Sequence, residues 1–228
     1  MEKSAATRHI AIVEKCIMSA VGLKHLFTSP MLNTFTLHFF KDLKTFQSSL
    51  SYVSYSSLIY SLTDKREERR NCLECIKDLA LSHSTTQRIV LASDGQEASL
   101  IEQLSPSHLH GLILKSDPLV MLKDQLGKLL NESCRTSDSM TSPRNMHRVR
   151  LLSPTERAIL QFMSCGFSIP EIALRLDRNI KTIRAHKFNA MVKLGVRSDV
   201  GLLDAGDILT HFPVADHRTP RFLSTLHS

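Results

Sequence analysis

Residues 152 to 196 contain two copies of a motif that starts an α-helix, and this repeat constrains the fold more than any other feature of the chain. Ser153 and Glu156 have the spacing of a capping box, in which each side chain satisfies a free backbone N–H of the other residue. Ser168 and Glu171 have the same spacing. Because each motif precedes apolar residues at helical spacing, the segment predicts two successive short helices.

A third helix is predicted over about residues 180 to 194, after a turn at residues 177 to 179. Its apolar side chains recur at helical spacing and are expected to be buried: Ile183, Met191 and Leu194. Its basic side chains are expected to stay available to solvent: Lys181, Arg184, Lys187 and Lys193. A cationic helix held by two shorter helices suits the major groove of DNA.

This pattern predicts a helix-turn-helix over residues 168 to 187 and a set of DNA contacts. The candidates for groove or backbone contacts are Lys181, Thr182, Arg184, Ala185 and Lys187, with His186 and Asn189 as additional ones. Arg178 and Lys193 are expected to meet phosphates. The alternative is a three-helix bundle whose basic face is merely solvated.

The distribution of charge favours the DNA-binding interpretation. Residues 144 to 228 hold 13 Lys and Arg against 7 Asp and Glu, a balance of +6, whereas residues 1 to 143 hold 16 against 15, a balance of +1. Nearly all of the formal charge of +7 therefore lies in the C-terminal part. Clustered positive charge is typical of a polyanion partner.

Before residue 131, short apolar runs alternate with helical patterns. This alternation predicts five βα units around a parallel sheet, in a flavodoxin-like layout. The strand-like runs are at residues 9–14, 34–40, 57–62, 88–93 and 111–115. The helical patterns that follow them are at residues 16–27, 43–53, 67–83, 97–104 and 118–130.

The chain of 228 residues is long enough for two domains. Residues 131–150 are rich in Ser, Thr and Asn and predict a linker between a domain at 1–130 and a domain at 151–210. Ser198 and Asp199 can cap a fourth helix, whose apolar face could pack on the bundle or dimerise. Residues 211–228 are expected to form a frayed tail.

The five cysteines are odd in number and scattered, which suits a reducing compartment. Cys72 and Cys75 form a C-x-x-C inside a helical run, where a structural role is favoured over a redox or metal role. The histidines, among them His108, His110, His211 and His217, are expected at the surface, so no metal site and no cofactor are predicted.

The chain lacks an apolar run long enough to cross a membrane, and its N-terminus lacks a secretory signal pattern. We therefore expect a cytoplasmic protein, associated with the nucleoid when bound to DNA, without a membrane partner.

The motifs L-S-P-T-E-R, G-x-S-x-x-E-I-A-x-x-L, K-T-I-R-x-H-K and K-L-G-V closely resemble the LuxR/FixJ-type output domain of bacterial response regulators. The preceding five βα units and linker resemble the receiver domain of the same regulators. This resemblance implies an α/β receiver-like domain followed by an all-α, four-helix domain that binds double-stranded promoter DNA.

The resemblance also implies where a phosphorylation pocket would lie. The acidic pair after the first strand becomes Glu14 and Lys15, the phospho-accepting Asp becomes Ser61, and the hydroxyl residue after strand four becomes Ala92. Only Lys115 remains as the family has it. Ser93 is the alternative to Ala92 if the register differs by one, and Asp64 is a less favoured displaced acceptor. We therefore expect a pseudo-receiver that is not phosphorylated.

Together these features resemble the BglJ-like activators, which implies an auxiliary transcription activator that pairs with an RcsB-like response regulator as a heterodimer. Two alternatives stay open: a homodimeric regulator controlled by phosphorylation, and a LuxR-type regulator that senses a small ligand. We expect neither a small-molecule ligand nor an enzyme, because no nucleophile–base pair or phosphate loop stands out.

Overall fold

A computed structural model describes residues 8–29, 32–62, 65–104, 109–131 and 152–211. These residues form two compact units, one built on a five-stranded sheet and one built from helices alone. The predicted linker at 131–150 and tail at 211–228 lie almost wholly outside the described residues, so their boundaries stay predictions. None of the helices described is both long and apolar enough to cross a membrane.

The first unit is a parallel sheet with strand order β2-β1-β3-β4-β5, which is the predicted flavodoxin-like arrangement. The strands are β1 (Arg8–Val13), β2 (Phe35–Phe40), β3 (Ser57–Ser61), β4 (Gln87–Ala92) and β5 (Gly111–Leu114). The helices between and after them are α1 (Ile17–Leu26), α2 (Leu43–Ser49), α3 (Arg66–Ser82), α4 (Gly95–Leu104) and α5 (Leu119–Asn131).

Both faces of the central strands β1, β3 and β4 are buried, as expected for parallel strands covered by helices on each side. Ile12, Ile59 and Ile89 are neighbours across β1, β3 and β4, and they share one core cluster with apolar side chains of α1 and α5. The alternate residues Leu58 and Tyr60 are fully buried on the other face. Helices α1 and α5 therefore cover the same face of the sheet.

Helix α2 is shorter than predicted, because it ends at Ser49 rather than at about residue 53. The hydroxyl of Ser48 donates a hydrogen bond of 3.0 Å to the Lys44 carbonyl, and that of Ser49 donates one of 2.6 Å to the Phe46 carbonyl. Serine hydroxyls that bond to helical carbonyls compete with the helical backbone pattern. Helical spacing in the sequence does not show these serine hydrogen bonds, so the predicted end of α2 was too late.

The second unit consists of α6 (Pro154–Ser164), α7 (Ile169–Arg175), α8 (Ile180–Leu194) and α9 (Asp199–His211). Both predicted capping boxes form. Gly166 after α6 and Gly195 after α8 have positive φ angles of 89° and 70°. The predicted boundaries of α8 are confirmed, and so is the fold class of the whole chain.

Helix α9 packs on α6, which decides between the two roles predicted for its apolar face. Leu202, Ile208 and Leu209 are buried. A Cβ atom at Gly206 would lie 2.9 Å from the Leu160 carbonyl oxygen, so glycine permits the close approach of these two helices.

Candidate DNA-binding helix and receiver-like pocket

Helix α8 is fixed in the bundle by its start and by one buried side. The Asn179 side chain caps its N-terminus and accepts a hydrogen bond of 2.8 Å from the Lys181 amide. Ile183, Ala190 and Leu194 are buried. Helices α6 and α7 both pack against α8, and within the described part of this unit the opposite side of α8 is exposed.

The predicted contact residues of α8 differ in their exposure. Those that are exposed are Lys181, Arg184, Ala185 and Asn189, together with Arg178 in the preceding turn. Thr182 and His186 are partly covered. The exposed residues therefore form the part of the predicted DNA-contact set that a groove could reach without rearrangement.

Lys187 is not freely available to solvent, contrary to the sequence-based expectation. Its side chain is only 18% exposed, and its Nζ lies 2.7 Å from a carboxylate oxygen of Asp199 at the start of α9. The partner is twelve residues away in the sequence, so the helical pattern of α8 gave no sign of it. A phosphate would have to compete with Asp199 for this ammonium group.

Lys193 is the second correction. Its side chain is 28% exposed, and its Nζ lies 2.7 Å from Oε2 of Glu156, which is buried. Burial acts to raise the pKa of the Glu156 carboxyl, but hydrogen bonds from Lys193 and Ser153 outweigh this and lower it. Lys193 thus joins α8 to the start of α6 inside the domain.

Two apolar residues of α8 occupy its outer side, and the sequence-based contact set omitted both. Phe188 is 65% exposed and Val192 is 53% exposed. They lie four residues apart, so they are neighbours on one face of the helix. They follow Lys181 by seven and eleven residues, which are about two and three helical turns, so this spacing could have placed them on the same face as Lys181.

In the first unit, the pocket predicted from the resemblance lies at the carboxyl ends of the strands. Ser61 is the last residue of β3, Ala92 is the last residue of β4, and Lys115 directly follows β5. Glu14 directly follows β1 and is buried. The loops after parallel strands meet at this edge of the sheet.

Glu14 is held by three hydrogen-bond donors. Ser61 Oγ donates to Oε2 at 2.6 Å, Lys115 Nζ donates to the same oxygen at 2.7 Å, and the Cys16 amide donates to Oε1 at 2.9 Å. Burial acts to raise the pKa of the Glu14 carboxyl, but these hydrogen bonds outweigh it and hold the pKa below its usual 4.5.

The Glu14 carboxylate is therefore already neutralised by a lysine. Lys15 is directed elsewhere and forms an ion pair of 2.9 Å with Glu68 on the surface. The structure describes no group of three or more His, Cys, Asp or Glu side chains that could hold a metal ion.

The sequence offers two alternatives for this pocket: Ser93 in place of Ala92, and Asp64 as a displaced acceptor. The methyl group of Ala92 is buried, and the Ser93 amide donates a hydrogen bond of 2.6 Å to Glu97. Burial raises the pKa of the Glu97 carboxyl. Asp64, the proposed displaced acceptor, lies outside the described residues.

The C-x-x-C cysteines and His110 are structural features of the first unit. Cys72 and Cys75 are buried in α3, and burial raises the pKa of both thiols, that of Cys75 to about 11. His110 was expected at the surface but is half-buried, because its Nδ1 accepts a hydrogen bond of 3.0 Å from the Arg88 amide. Burial and nearby Arg88 lower its pKa to about 4. His108 and His217 lie outside the described residues, and so does the side chain of His211.

Comparison with known proteins gives matches over most of the chain. The family described as bacterial regulatory proteins, luxR family, matches residues 150–205. The transcriptional activator protein BglJ of Escherichia coli (strain K12) is 45% identical over 202 residues, which cover 89% of this chain and 90% of BglJ. The transcriptional regulatory protein RcsB of the same strain is 28% identical over 172 residues, or 72% of this chain and 78% of RcsB.

A solved structure agrees with these matches. The structure of two RcsB dimers bound to two parallel DNAs covers 87% of this chain and 97% of its own, with a TM-score of 0.62 and 25% identity.

Proposed function

Because the chain belongs to the LuxR-type family of bacterial transcriptional regulators that includes the activator BglJ, we propose that it activates transcription as a heterodimer with an RcsB-like response regulator and without phosphorylation of its own. The observation that carries this proposal is the Glu14–Lys115 ion pair, which occupies the receiver-like pocket. The protein acts in the cytoplasm on promoter DNA, and it needs neither a cofactor nor an enzymatic activity.

Phosphorylation-independent action is supported by the contents of the pocket. Phosphoryl transfer to a receiver needs a carboxylate acceptor and acids that hold Mg²⁺. Ser61 has no carboxylate, and its hydroxyl already donates to Glu14. Glu14 in turn is occupied by Lys115. Among the residues that the structure describes, no specific observation favours the alternative of a phosphorylation-controlled regulator.

Pairing with a related receiver is supported by an exposed apolar surface on the first unit, here called the α1–α5 surface. It is formed by exposed side chains at the N-terminal ends of two helices that cover the same face of the sheet: Ile17, Met18 and Val21 of α1, and Leu119, Val120 and Met121 of α5. Exposed apolar side chains grouped in this way are typical of protein interfaces.

Gly22 adds an independent argument for this surface. It lies inside α1, where glycine costs about 1 kcal/mol relative to alanine. A Cβ atom there would meet nothing within 4 Å, so no contact among the described residues requires glycine. Close approach of a partner helix would require it. RcsB is related to this chain in sequence and is known as a dimer on DNA, which makes an RcsB-like receiver the proposed partner.

The decisive experiment measures promoter binding by the purified protein alone and with an RcsB-like partner, at a stated salt concentration. We expect tight specific binding only by the mixture. Met18→Asp should abolish this gain, because it places a charge in the α1–α5 surface. Leu81→Asp is the matched control, since Leu81 is similarly exposed but lies on α3. Tight specific binding by the protein alone would contradict the heterodimer.

Independence from phosphorylation is tested separately. Incubation with acetyl phosphate and Mg²⁺ should leave the protein unlabelled, and promoter binding by the mixture should not depend on whether this chain was treated. An acid-labile acyl phosphate on this chain would contradict the proposal.

The recognition helix is tested by substitutions that differ in exposure. Arg184→Ala should weaken promoter binding by about 1–3 kcal/mol and relax specificity at one base pair. Lys187→Ala should have a smaller effect, because Asp199 already occupies that side chain. Unchanged promoter binding by a variant that combines Arg184→Ala with Lys187→Ala would show that α8 is not the recognition helix.

A further inference from the structure

The outer face of α8 is apolar along its centre, although the helix as a whole is basic. The buried residues Ile183, Ala190 and Leu194 follow one another at intervals of seven and four residues. Ala185, Phe188 and Val192 are exposed, and each lies two residues before or after one of these buried residues. Two residues correspond to a rotation of roughly 200°, so this apolar row is directed away from the core.

We propose that Phe188 is a specificity-determining residue that recognises a thymine in the major groove by contact with its C5-methyl group. The inference rests on the proposed function, because it requires that α8 enters the groove. It goes beyond that function by assigning one base pair of the binding site to an aromatic side chain.

The charges beside Phe188 favour DNA as the occupant of this face. Lys181 and Arg184 are exposed one to two turns before Phe188, and Asn189 is exposed next to it. No acidic residue occurs anywhere in α8. An apolar row flanked by cations and an amide matches a groove that is lined by phosphates and base edges.

The chemistry of the base edges indicates that thymine is the base that Phe188 recognises. The thymine methyl is the one apolar group that an unmodified base pair presents in the major groove, and cytosine lacks it. The exposed ring of Phe188 cannot form a hydrogen bond to a base edge, so it gains most from that methyl group. Val192, one turn further on, extends the same apolar contact.

The test begins with selection of binding sites from a random duplex library by the full-length protein together with an RcsB-like partner. Each thymine of the selected site is then replaced, one at a time, by deoxyuridine, which lacks only the methyl group. At one position the wild type should bind about three- to fivefold more weakly, which corresponds to one methyl group lost from an apolar contact.

The Phe188→Ala variant should lose the sensitivity to deoxyuridine at that position and keep any sensitivity at other thymines. Phe188→Leu, which remains apolar, should keep part of it. Leu174→Ala is the matched control, because Leu174 is an exposed apolar residue on α7. It should behave like the wild type. Since Phe188 and Leu174 are both exposed, none of the three variants should change the thermal unfolding midpoint.

Two results would overturn the inference in different ways. If a site is selected but Phe188→Ala keeps the wild-type response to deoxyuridine at every position, Phe188 does not recognise thymine while the proposed function stands. If no sequence is selected by the mixture, the proposed function fails together with the inference.

Discussion

Glu14 and Lys15 are adjacent in the sequence but have opposite environments. Glu14 is buried and accepts hydrogen bonds from Ser61, Lys115 and the Cys16 amide. We predict that Glu14→Gln lowers the free energy of unfolding by about 1–3 kcal/mol, because it leaves the Lys115 ammonium group without its counter-charge. Urea unfolding followed by circular dichroism measures this. Lys15→Ala is the control and should change stability little, since its ion pair with Glu68 is at the surface.

The buried Glu14 carboxyl also predicts that the stability of the fold depends on pH. The pKa of the Glu14 carboxyl is lowered in the folded protein from its usual 4.5, since the hydrogen bonds outweigh burial. A lowered pKa means that ionised Glu14 stabilises the fold above pH 4.5 and that this contribution is lost as the pH falls below it. The stability difference between the wild type and Glu14→Gln should therefore be constant near neutral pH and shrink on acidification. A difference that grows below pH 4.5 would contradict the assignment.

Single residues show where sequence reasoning reached its limit. The resemblance to receiver domains implied that Ser61, Ala92 and Lys115 lie at the ends of strands, and the structure has them there. The ion pairs of Lys187 and Lys193 were not predicted, because their partners lie 12 and 37 residues away and meet them only in the folded bundle. Helical spacing alone cannot distinguish a lysine in solvent from one that faces a neighbouring carboxylate.

At the scale of the helices, the two capping boxes have the same sequence spacing and different surroundings. Glu156 is buried and bonds both the Ser153 amide and Lys193, each at 2.7 Å. Glu171 is exposed and bonds Ser168 alone. We predict that Glu156→Ala lowers the stability of the second unit by about 2–3 kcal/mol, because a cap and a buried ion pair are both lost.

Glu171→Ala is the comparison for that prediction and should cost clearly less. The stability of both variants can be measured by thermal or urea unfolding of the full chain, with the backbone amide signals of α6 and α7 as the readout. Equal losses would show that the Lys193 ion pair contributes nothing beyond the cap.

The helices and strands themselves were largely predictable from the sequence. Capping boxes are local signals, so the starts of α6 and α7 were predicted where the structure has them. Helix α2 was overestimated because serine hydroxyls at its end bond to helical carbonyls, and a serine looks the same in sequence whether it does so or not.

For the whole molecule, each unit has its own apolar core. We predict that destabilisation stays within a unit. In hydrogen exchange of the full chain, Glu14→Gln should speed exchange in β1, β3 and β5 and leave α6 to α9 unchanged. Glu156→Ala should speed exchange in α6 to α9 and leave β1, β3 and β5 unchanged. Faster exchange in both units from either substitution would show that they unfold together.

The Glu14–Lys115 ion pair also restricts the evolutionary routes open to this pocket. Loss of either charge alone leaves the other without its partner, so each first step is unfavourable. Replacement of Ser61 by aspartate would place a second carboxylate beside Glu14, where Lys115 can neutralise only one of them. A return to a phosphate-accepting receiver therefore requires several coordinated substitutions, and lineages that inherit this ion pair are expected to keep it.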